Sequence, residues 1–242
     1  MTLLTEPTRI VLAKGQPVPN DPYLYTNTVL LLHGDGTNGS TTILDSSKVA
    51  GSPKTVTAVG NAQISTAQSK FGGASIAFDG SGDYLNIPSG VGFQFGTGDF
   101  TIETWLFTRS LSTFQVILDT RPAEGNGAYV FLGLNYTSGE LVYYVNTAER
   151  IITTTSAIAA NTWTHIAVSR LGTSTKLFVS GVQVGSWTDP TDYLISSPRI
   201  GQSKFALFPD TFNGYIDDLR ITKGIARYTA NFSVPTAPFP DF

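Results

Sequence analysis

Short runs of strand-forming residues follow one another at even spacing over most of the chain, and this pattern most constrains the fold. Apolar and polar residues largely alternate across Phe100–Phe107 and Thr162–Ser169, as in strands with one buried face. No segment keeps a 3.6-residue apolar period long enough for a substantial helix, and only Ile225–Tyr228 hints at a helical turn. The pattern predicts an all-β fold of about a dozen strands in two packed antiparallel sheets.

The remaining strands are predicted from shorter signals. Val29–Leu32 is a continuous apolar run, typical of a strand buried on both faces. Ser180-Gly181 separates Lys176–Val179 from Val182–Val184 and predicts a tight hairpin. The other candidates are Ser75–Phe78, Tyr84–Ile87, Val116–Asp119, Tyr129–Leu134, Leu141–Val145, Arg150–Thr154 and Gly214–Ile221.

Composition bounds the classes of function. The 242 residues are 41% hydrophobic, enough for one core, since all-β sandwiches of ~200–250 residues fold as single domains. A net charge of −3, with 15 Lys and Arg spread thinly, predicts no nucleic-acid partner, because phosphate binding needs a basic stripe. Without cysteine, the chain has no disulfide, thiolate metal site or cysteine nucleophile.

The two ends differ from the middle of the chain. Residues 1–26 hold four prolines and one apolar patch, Ile10, Val11 and Leu12, which predicts an extended arm. This arm is either a loose terminus or an anchor on a neighbouring subunit. It lacks the pattern of a signal peptide, and no window is apolar enough to span a membrane. Residues 233–242 are rich in proline with Phe239 and Phe242, and we expect this tail to pack on the sandwich or on a neighbour.

Five segments, taken in order, resemble the strand motifs of concanavalin A-like laminin G-like domains. They are FGGASIAFDGSGDYLNIP, DFTIETWLF, NTWTHIAVSR, TKLFVSGVQVGS and GYIDDLRITKGIARYTANF. The resemblance covers about residues 28–232 and implies a concanavalin A-like jelly-roll sandwich over residues 27–232, flanked by the arm and the tail.

Two phrases resemble bacteriophage structural proteins in particular. LLLHGDGTNG near the start and DDLRITKGIARYTANF near the end are similar to domains of fibres, appendages and decoration proteins. This resemblance implies a virion structural protein in an extracellular particle, a homo-oligomer that contacts other virion proteins.

Several motif residues have predicted structural roles. In Phe78–Tyr84 the glycines are expected to supply positive φ and the aspartates to accept hydrogen bonds from nearby backbone. Trp105 and Trp163 lie within apolar strands and are expected to anchor the core, each with a partner for its indole N–H.

The carboxylates argue against an enzyme. Retaining glycoside hydrolysis needs two carboxyl groups ~5–5.5 Å apart. Glu103 stands alone in its strand, and the adjacent Asp217 and Asp218 are expected on opposite faces. His33 and His165 have no nucleophile elbow or metal spacing beside them, so we expect structural roles for both.

Calcium is the one expected cofactor, because laminin G-like domains often carry it. The resemblance points to Asp35, in a loop rich in backbone oxygens, and to Asp218, if the first and last strands are neighbours. The alternative is that Asp35 caps a turn and Asp218 accepts hydrogen bonds from backbone amides.

Aromatic residues in predicted loops are the candidates for glycan and assembly surfaces. Trp187 is the best glycan candidate, followed by Tyr136, Tyr193 and Phe114, and the alternative for each is packing under a loop. The apolar segment of residues 204–209, with Phe205 and Phe208, is a candidate subunit contact together with Ile10, Val11 and Leu12.

Two functions therefore compete. The first is a non-enzymatic virion structural protein that uses the sandwich for assembly and for attachment to a host-surface glycan. The alternative is a carbohydrate-binding, lectin-like module.

Overall fold

The computed structural model describes residues 25–49, 53–122, 126–136, 138–154, 156–205 and 210–241. Strands dominate this part, with two short 3₁₀ helices at Tyr25–Asn27 and Val91–Phe93. Among the described residues no helix is long and apolar enough to cross a membrane. The helical turn expected at Ile225–Tyr228 is wrong, because these residues run irregularly over a sheet.

Two antiparallel sheets form a jelly-roll sandwich, which confirms the predicted fold class. The eight-stranded sheet has the order β13 (Val182–Thr188), β12 (Ser174–Val179), β11 (Thr164–Leu171), β6 (Phe100–Thr108), β15 (Asn213–Lys223), β4 (Ser75–Asp79) and β3 (Gln63–Ser65), with β1 (Thr28–Leu32) also paired to β15. The seven-stranded sheet has the order β10 (Ala148–Ile152), β9 (Leu141–Val145), β8 (Phe131–Leu134), β7 (Gln115–Asp119), β14 (Arg199–Ile200), β5 (Tyr84–Asn86) and β2 (Thr57–Val59).

The core lies between the two sheets. Strand β6 shows how alternation builds it, since Phe100, Ile102 and Leu106 point inward into the buried apolar cluster. Glu103 and Trp105, at the alternate positions, point to the outer face. Each fully buried Leu, Ile or Phe stabilises the fold by about 1.5–3 kcal/mol relative to exposure.

The predicted turns have the backbone that their residues require. Ser180 (φ 49°) and Gly181 (φ 78°) join β12 to β13 with two positive φ angles, as in a type I′ hairpin. In the turn after β4, Gly80 and Gly82 have φ of 89° and 76°. Asp79 Oδ1 accepts a 2.7 Å hydrogen bond from the amide of Ser81, as expected for such a turn.

A bulge in β15 breaks the alternation at Asp217 and Asp218. The register of β15 with β6 shifts between Asp217 and Arg220, and Asp218 has φ 52°. Both aspartates consequently face the outer layer. There Asp217 accepts a 2.7 Å hydrogen bond from the amide of Lys70, and Asp218 accepts a 2.6 Å hydrogen bond from the amide of Phe239. The expectation of opposite faces is wrong, because strict alternation fails at a bulge.

The segment of residues 225–241 covers the outer face of the eight-stranded sheet. Tyr228 and Phe232 stack at 3.6 Å, and Phe232 also contacts Phe178 of β12 at 5.4 Å. Phe239 is buried, with the Arg220 guanidinium 3.7 Å from its ring centre. Phe242 lies outside the described residues.

The two tryptophans are placed differently from their predicted roles. Trp105 is 4% exposed but lies on the outer face, between Phe71 and Lys70, which is 3.9 Å from its ring. Trp163 is half-buried against Phe107. Neither indole Nε1 has a hydrogen-bond partner, so the expected N–H partners are wrong.

Candidate functional site

One residue from every strand of the seven-stranded sheet stands in a single row across its outer face. Residues directly opposite each other in antiparallel strands point to the same face. The adjacent row (Ile151, Tyr143, Leu132, Leu118, Ile200, Leu85 and Ala58) belongs to the core, so this row faces outward. The outer-face row consists of Glu149, Tyr144, Phe131, Asp119, Arg199, Asn86 and Thr57.

Aromatic rings fill one end of the outer-face row. Phe114 stacks on Phe131 at 6.2 Å, and Tyr144 meets Phe131 edge-on at 5.4 Å. The Tyr144 hydroxyl donates a 2.6 Å hydrogen bond to Glu149 Oε1. Gly133 makes room for this cluster, because a Cβ there would lie 2.8 Å from Phe114 Cζ. Phe114 and Tyr144 stay partly exposed, and the result is an apolar surface with a carboxylate and a hydroxyl at its border.

A buried carboxylate organises the middle of the row. Asp119 is fully buried, and it accepts hydrogen bonds from Arg121 Nε (2.9 Å) and Nη2 (2.7 Å). It also accepts a 2.8 Å hydrogen bond from the amide of Lys204. The Arg121 guanidinium lies 4.7 Å from the Phe131 ring centre. Asp119 therefore holds both an arginine and the segment at residue 204 against the sheet.

Arg199 continues the row beyond Asp119, its register partner on β7. Its guanidinium lies 4.1 Å from the ring centre of Tyr84, which is half-buried on the same face. Its Nη1 donates only long hydrogen bonds, 3.4 Å to Gln202 Oε1 and 3.3 Å to the carbonyl of Ser203. Its buried Nε has no partner.

Lys204 adds a third cation to this region. Its ammonium donates to the carbonyl and the hydroxyl of Ser197. Burial lowers the pKa of Lys204 to about 8; Asp119 opposes the decrease, while Arg199 and Arg121 add to it. At neutral pH the lysine is still mostly protonated, and the middle of the row carries excess positive charge.

Of the four predicted glycan residues, only Phe114 belongs to this face. Tyr193 is 1% exposed, and its hydroxyl is bonded to the Tyr143 hydroxyl (2.5 Å) and to Asp189 Oδ2 (2.8 Å). A glycan contact at Tyr193 is therefore wrong, because the ring is part of the core.

The other two predicted glycan residues lie elsewhere. Trp187 is within β13 rather than in a loop, half-buried, with the Arg150 guanidinium 4.9 Å from its ring. Tyr136 is 62% exposed after the end of β8. These two residues remain a separate, untested prediction for a glycan contact.

Sequence reasoning missed most of the outer-face row. The sequence pattern predicts only strand positions for Tyr84, Phe131 and Tyr144, and it predicts no strand at Arg199. The alternation around Phe131 marks two faces, but it does not say which face is solvent-exposed. The register between strands, which aligns the row, is not visible in the sequence.

Of the predicted calcium residues, Asp35 follows β1 and Asp218 lies in β15, and these two strands pair as expected. Asp35 is exposed, and its carboxylate lies against Gly72, where a Cβ would be 1.9 Å from Oδ1. Asp218 is buried, with Oδ1 2.6 Å from His33 Nδ1 and Oδ2 accepting the Phe239 amide. Within the described ranges no three His, Asp or Glu are grouped to hold a metal.

Calcium binding therefore stays a prediction. A ligand that binds only the native state raises its melting temperature. A higher melting temperature in calcium than in chelator would support the site, and equal values would remove it.

Of the five predicted assembly residues, the structure describes only Phe205. Phe205 is half-buried. Phe208, Ile10, Val11 and Leu12 lie outside the described residues.

Glu103 lies in a buried ion cluster on the other sheet. Arg220 donates from Nε (2.9 Å) and Nη2 (2.7 Å) to Oε1, and the Tyr228 hydroxyl donates to Oε2 at 2.6 Å. Burial alone would raise the pKa of Glu103, but Arg220, His165 and Arg227 hold it well below its usual range. The carboxylate is thus charged at neutral pH and engaged by Arg220 and Tyr228, as in a structural ion pair.

The two sheets, the partly exposed polar and aromatic face and the closed core define a lectin-like β-sandwich. The family model Laminin_G_3, described as the concanavalin A-like lectin/glucanases superfamily, matches residues 79–226. The chain belongs to this family. None of the curated proteins compared with the chain matches it.

Solved structures share the fold at low identity. Domain 4 of AbnA, a GH43 extracellular arabinanase from Geobacillus stearothermophilus solved with arabinotriose, is similar with TM-score 0.62 and 19% identity, over 83% of this chain and 94% of that one.

Two botulinum neurotoxin structures are also similar. One concerns type C, whose cell entry is described as dependent on two ganglioside molecules (TM-score 0.63, 16% identity, 85% of this chain and 50% of the other). The second is the binding domain of neurotoxin DC in complex with SialylT (TM-score 0.58, 15% identity, 84% and 49%). The chain thus spans about half the length of the toxin chains.

Proposed function

We propose that this protein is a carbohydrate-binding module that holds a glycan along the outer face of the seven-stranded sheet. The observation that carries the proposal is the outer-face row, in which aromatic, carboxylate, guanidinium and amide groups lie in one line. Ligand sites combine apolar and aromatic surface with a few placed polar groups, and a sugar ring presents both apolar faces and hydroxyls.

The dimensions of the row favour an extended glycan. Strands in a sheet are ~4.8 Å apart, so seven strands span roughly 30 Å from edge to edge. A surface of this length accommodates several sugar rings in succession. The fold relatives that were solved with saccharides are consistent with this class of ligand.

The engaged state of Glu103 argues against this carboxylate as the general acid of a hydrolase. A general acid needs a carboxyl group that can give up a proton near neutral pH, whereas Arg220 keeps Glu103 ionised. Its covered position beneath Tyr228 also separates it from the outer-face row, which lies on the opposite side of the sandwich.

A glycan array followed by calorimetry tests the proposal. Phe114→Ala removes a partly exposed ring of the aromatic end and is expected to weaken binding at least tenfold with little change in melting temperature. Tyr136→Ala removes an exposed loop ring and serves as the matched control. Loss of binding in Tyr136→Ala or Trp187→Ala, with Phe114→Ala unchanged, would move the site away from the outer-face row and contradict the proposal.

The virion setting is a second proposal, supported only by the resemblance of two sequence phrases to phage structural proteins. It predicts that the protein purifies with particles as an oligomer and that deletion of residues 1–26 abolishes its incorporation. Incorporation that survives the deletion would remove the anchor role of Ile10, Val11 and Leu12, whatever the outcome for glycan binding.

A further inference from the structure

The middle of the outer-face row carries more positive charge than it neutralises. Three cations, Arg121, Arg199 and Lys204, lie around one carboxylate, Asp119. The Arg121 side chain donates two hydrogen bonds to that carboxylate and so neutralises its charge. Within the described part of the chain, Arg199 and Lys204 have no acidic partner at salt-bridge distance.

Arg199 has unused hydrogen-bonding capacity. Its two hydrogen bonds, at 3.3 and 3.4 Å, exceed the usual N–H···O range, and both come from Nη1. No described acceptor takes a hydrogen bond from Nη2, and Nε has none either. The ring of Tyr84 supports the guanidinium from one side and restricts its movement.

Such an arginine is suited to a planar anion. The guanidinium fork pairs with a carboxylate through two parallel hydrogen bonds, and these charge-assisted bonds are about twice as strong as neutral ones. The second unpaired cation, Lys204, is mostly buried and fixed on Ser197, so its charge cannot swing away from the face. Both features favour a ligand group with negative charge at this point of the row.

We propose that the glycan bound on this face is acidic, and that the carboxylate of a uronic or sialic acid residue pairs with Arg199. Neighbouring sugar rings then lie over Tyr84 on one side and over Phe114 and Tyr144 on the other. This inference depends on the proposed carbohydrate-binding function and adds the chemical class of its ligand.

Matched acidic and neutral saccharides test the inference. Calorimetry on the full chain would compare 3′-sialyllactose with lactose, and trigalacturonic acid with its methyl ester. A separate array would compare carboxylated glycans with their neutral forms. Within each pair of saccharides, we expect the carboxylated form to bind at least about tenfold more tightly than the neutral form. This factor corresponds to one charge-assisted hydrogen bond. Added salt should narrow this difference.

Arg199→Gln should remove the preference for the acidic form, and Arg199→Lys, which keeps the charge but not the fork, should retain part of it. Arg150→Gln is the matched control, since Arg150 also stacks on an aromatic ring, but that ring is Trp187 in β13 of the other sheet and not Tyr84. Melting temperatures of all variants separate loss of binding from loss of fold.

The outcomes distinguish the two proposals. Equal affinity for acidic and neutral forms, or an acid preference unchanged in Arg199→Gln, would overturn the acidic ligand while leaving carbohydrate binding intact. An array without any bound glycan would overturn both. A preference for sulfated over carboxylated saccharides would overturn the carboxylate as the recognised group.

Discussion

At the scale of single residues, Glu103 is the charge on which the outer layer of the eight-stranded sheet depends. Removing one partner of a buried ion pair leaves the other charge uncompensated, which costs about 3–5 kcal/mol. We therefore expect Glu103→Gln, which strands Arg220, to lower the free energy of unfolding in urea by that amount. Glu149→Gln is the control, because Glu149 is exposed. A loss below 1 kcal/mol would contradict the structural role of Glu103.

The candidate site shows at the same scale why sequence reasoning found one of its aromatic residues. Phe114 precedes a predicted strand, and this position predicts an aromatic residue in a loop, available to a ligand. Tyr84 and Tyr144 lie inside strands, where an aromatic residue suits a core as well as a surface. Tyr193 shows the opposite error, because its predicted loop position indicates an exposed ring, whereas the ring is buried. Burial depends on contacts that are distant in the chain.

At the scale of elements, the C-terminal segment is held to the sandwich by His33. His33 Nδ1 lies 2.6 Å from Asp218, and Nε2 lies 2.9 Å from Asp241 in the tail. Burial lowers the pKa of His33, but the hydrogen bonds and charges of Asp218 and Asp241 outweigh it and raise the pKa to about 9.

This contact predicts a pH-dependent stability. Because the folded-state pKa of about 9 exceeds the ordinary histidine pKa of 6.5, the stabilisation is complete below about pH 6.5 and is lost as pH rises through 9. The difference in free energy of unfolding between the wild type and His33→Gln should shrink over this window. A difference that stays constant from pH 6 to about 10 would show that His33 carries no such linkage.

The hairpin between β12 and β13 also contacts the C-terminal segment. Gly181 has φ 78°, and a Cβ there would lie 2.1 Å from the carbonyl oxygen of Phe232. Gly172 has φ 57° with no atom within 4 Å of its Cβ position. Gly172→Ala should therefore cost about 1–2 kcal/mol of backbone strain, and Gly181→Ala clearly more. Equal losses in thermal unfolding would show that the Phe232 contact is unimportant.

The longer strands could be predicted from the sequence, whereas most of the two- and three-residue strands could not. β6, β9 and the β12–β13 hairpin lie where the pattern indicates. β2, β3 and β14 were missed, because two or three residues carry no periodicity and their pairing is set by the neighbouring strands. The miss at β14 mattered most, since this strand places Arg199 in the row. The bulge at Asp218 was equally invisible.

At the scale of the whole molecule, the motif order predicted the sandwich while the function rests on one face of it. The fold hosts both binding and hydrolytic proteins, so function follows from the site and not from the architecture. The two outer faces differ in kind. The C-terminal segment covers much of the eight-stranded sheet, whereas the seven-stranded sheet presents partly exposed aromatic and cationic groups.

Mapping a bound saccharide by NMR tests this division of the molecule most directly. Titration of the ¹⁵N-labelled protein with the strongest-binding oligosaccharide of the array should shift the amides of Tyr144, Phe131, Asp119 and Arg199. The amides of β11 and β12 on the opposite sheet should stay unchanged. Shifts confined to the loop at Tyr136, or to the eight-stranded sheet with Trp187 in β13, would contradict the placement of the glycan on the outer-face row.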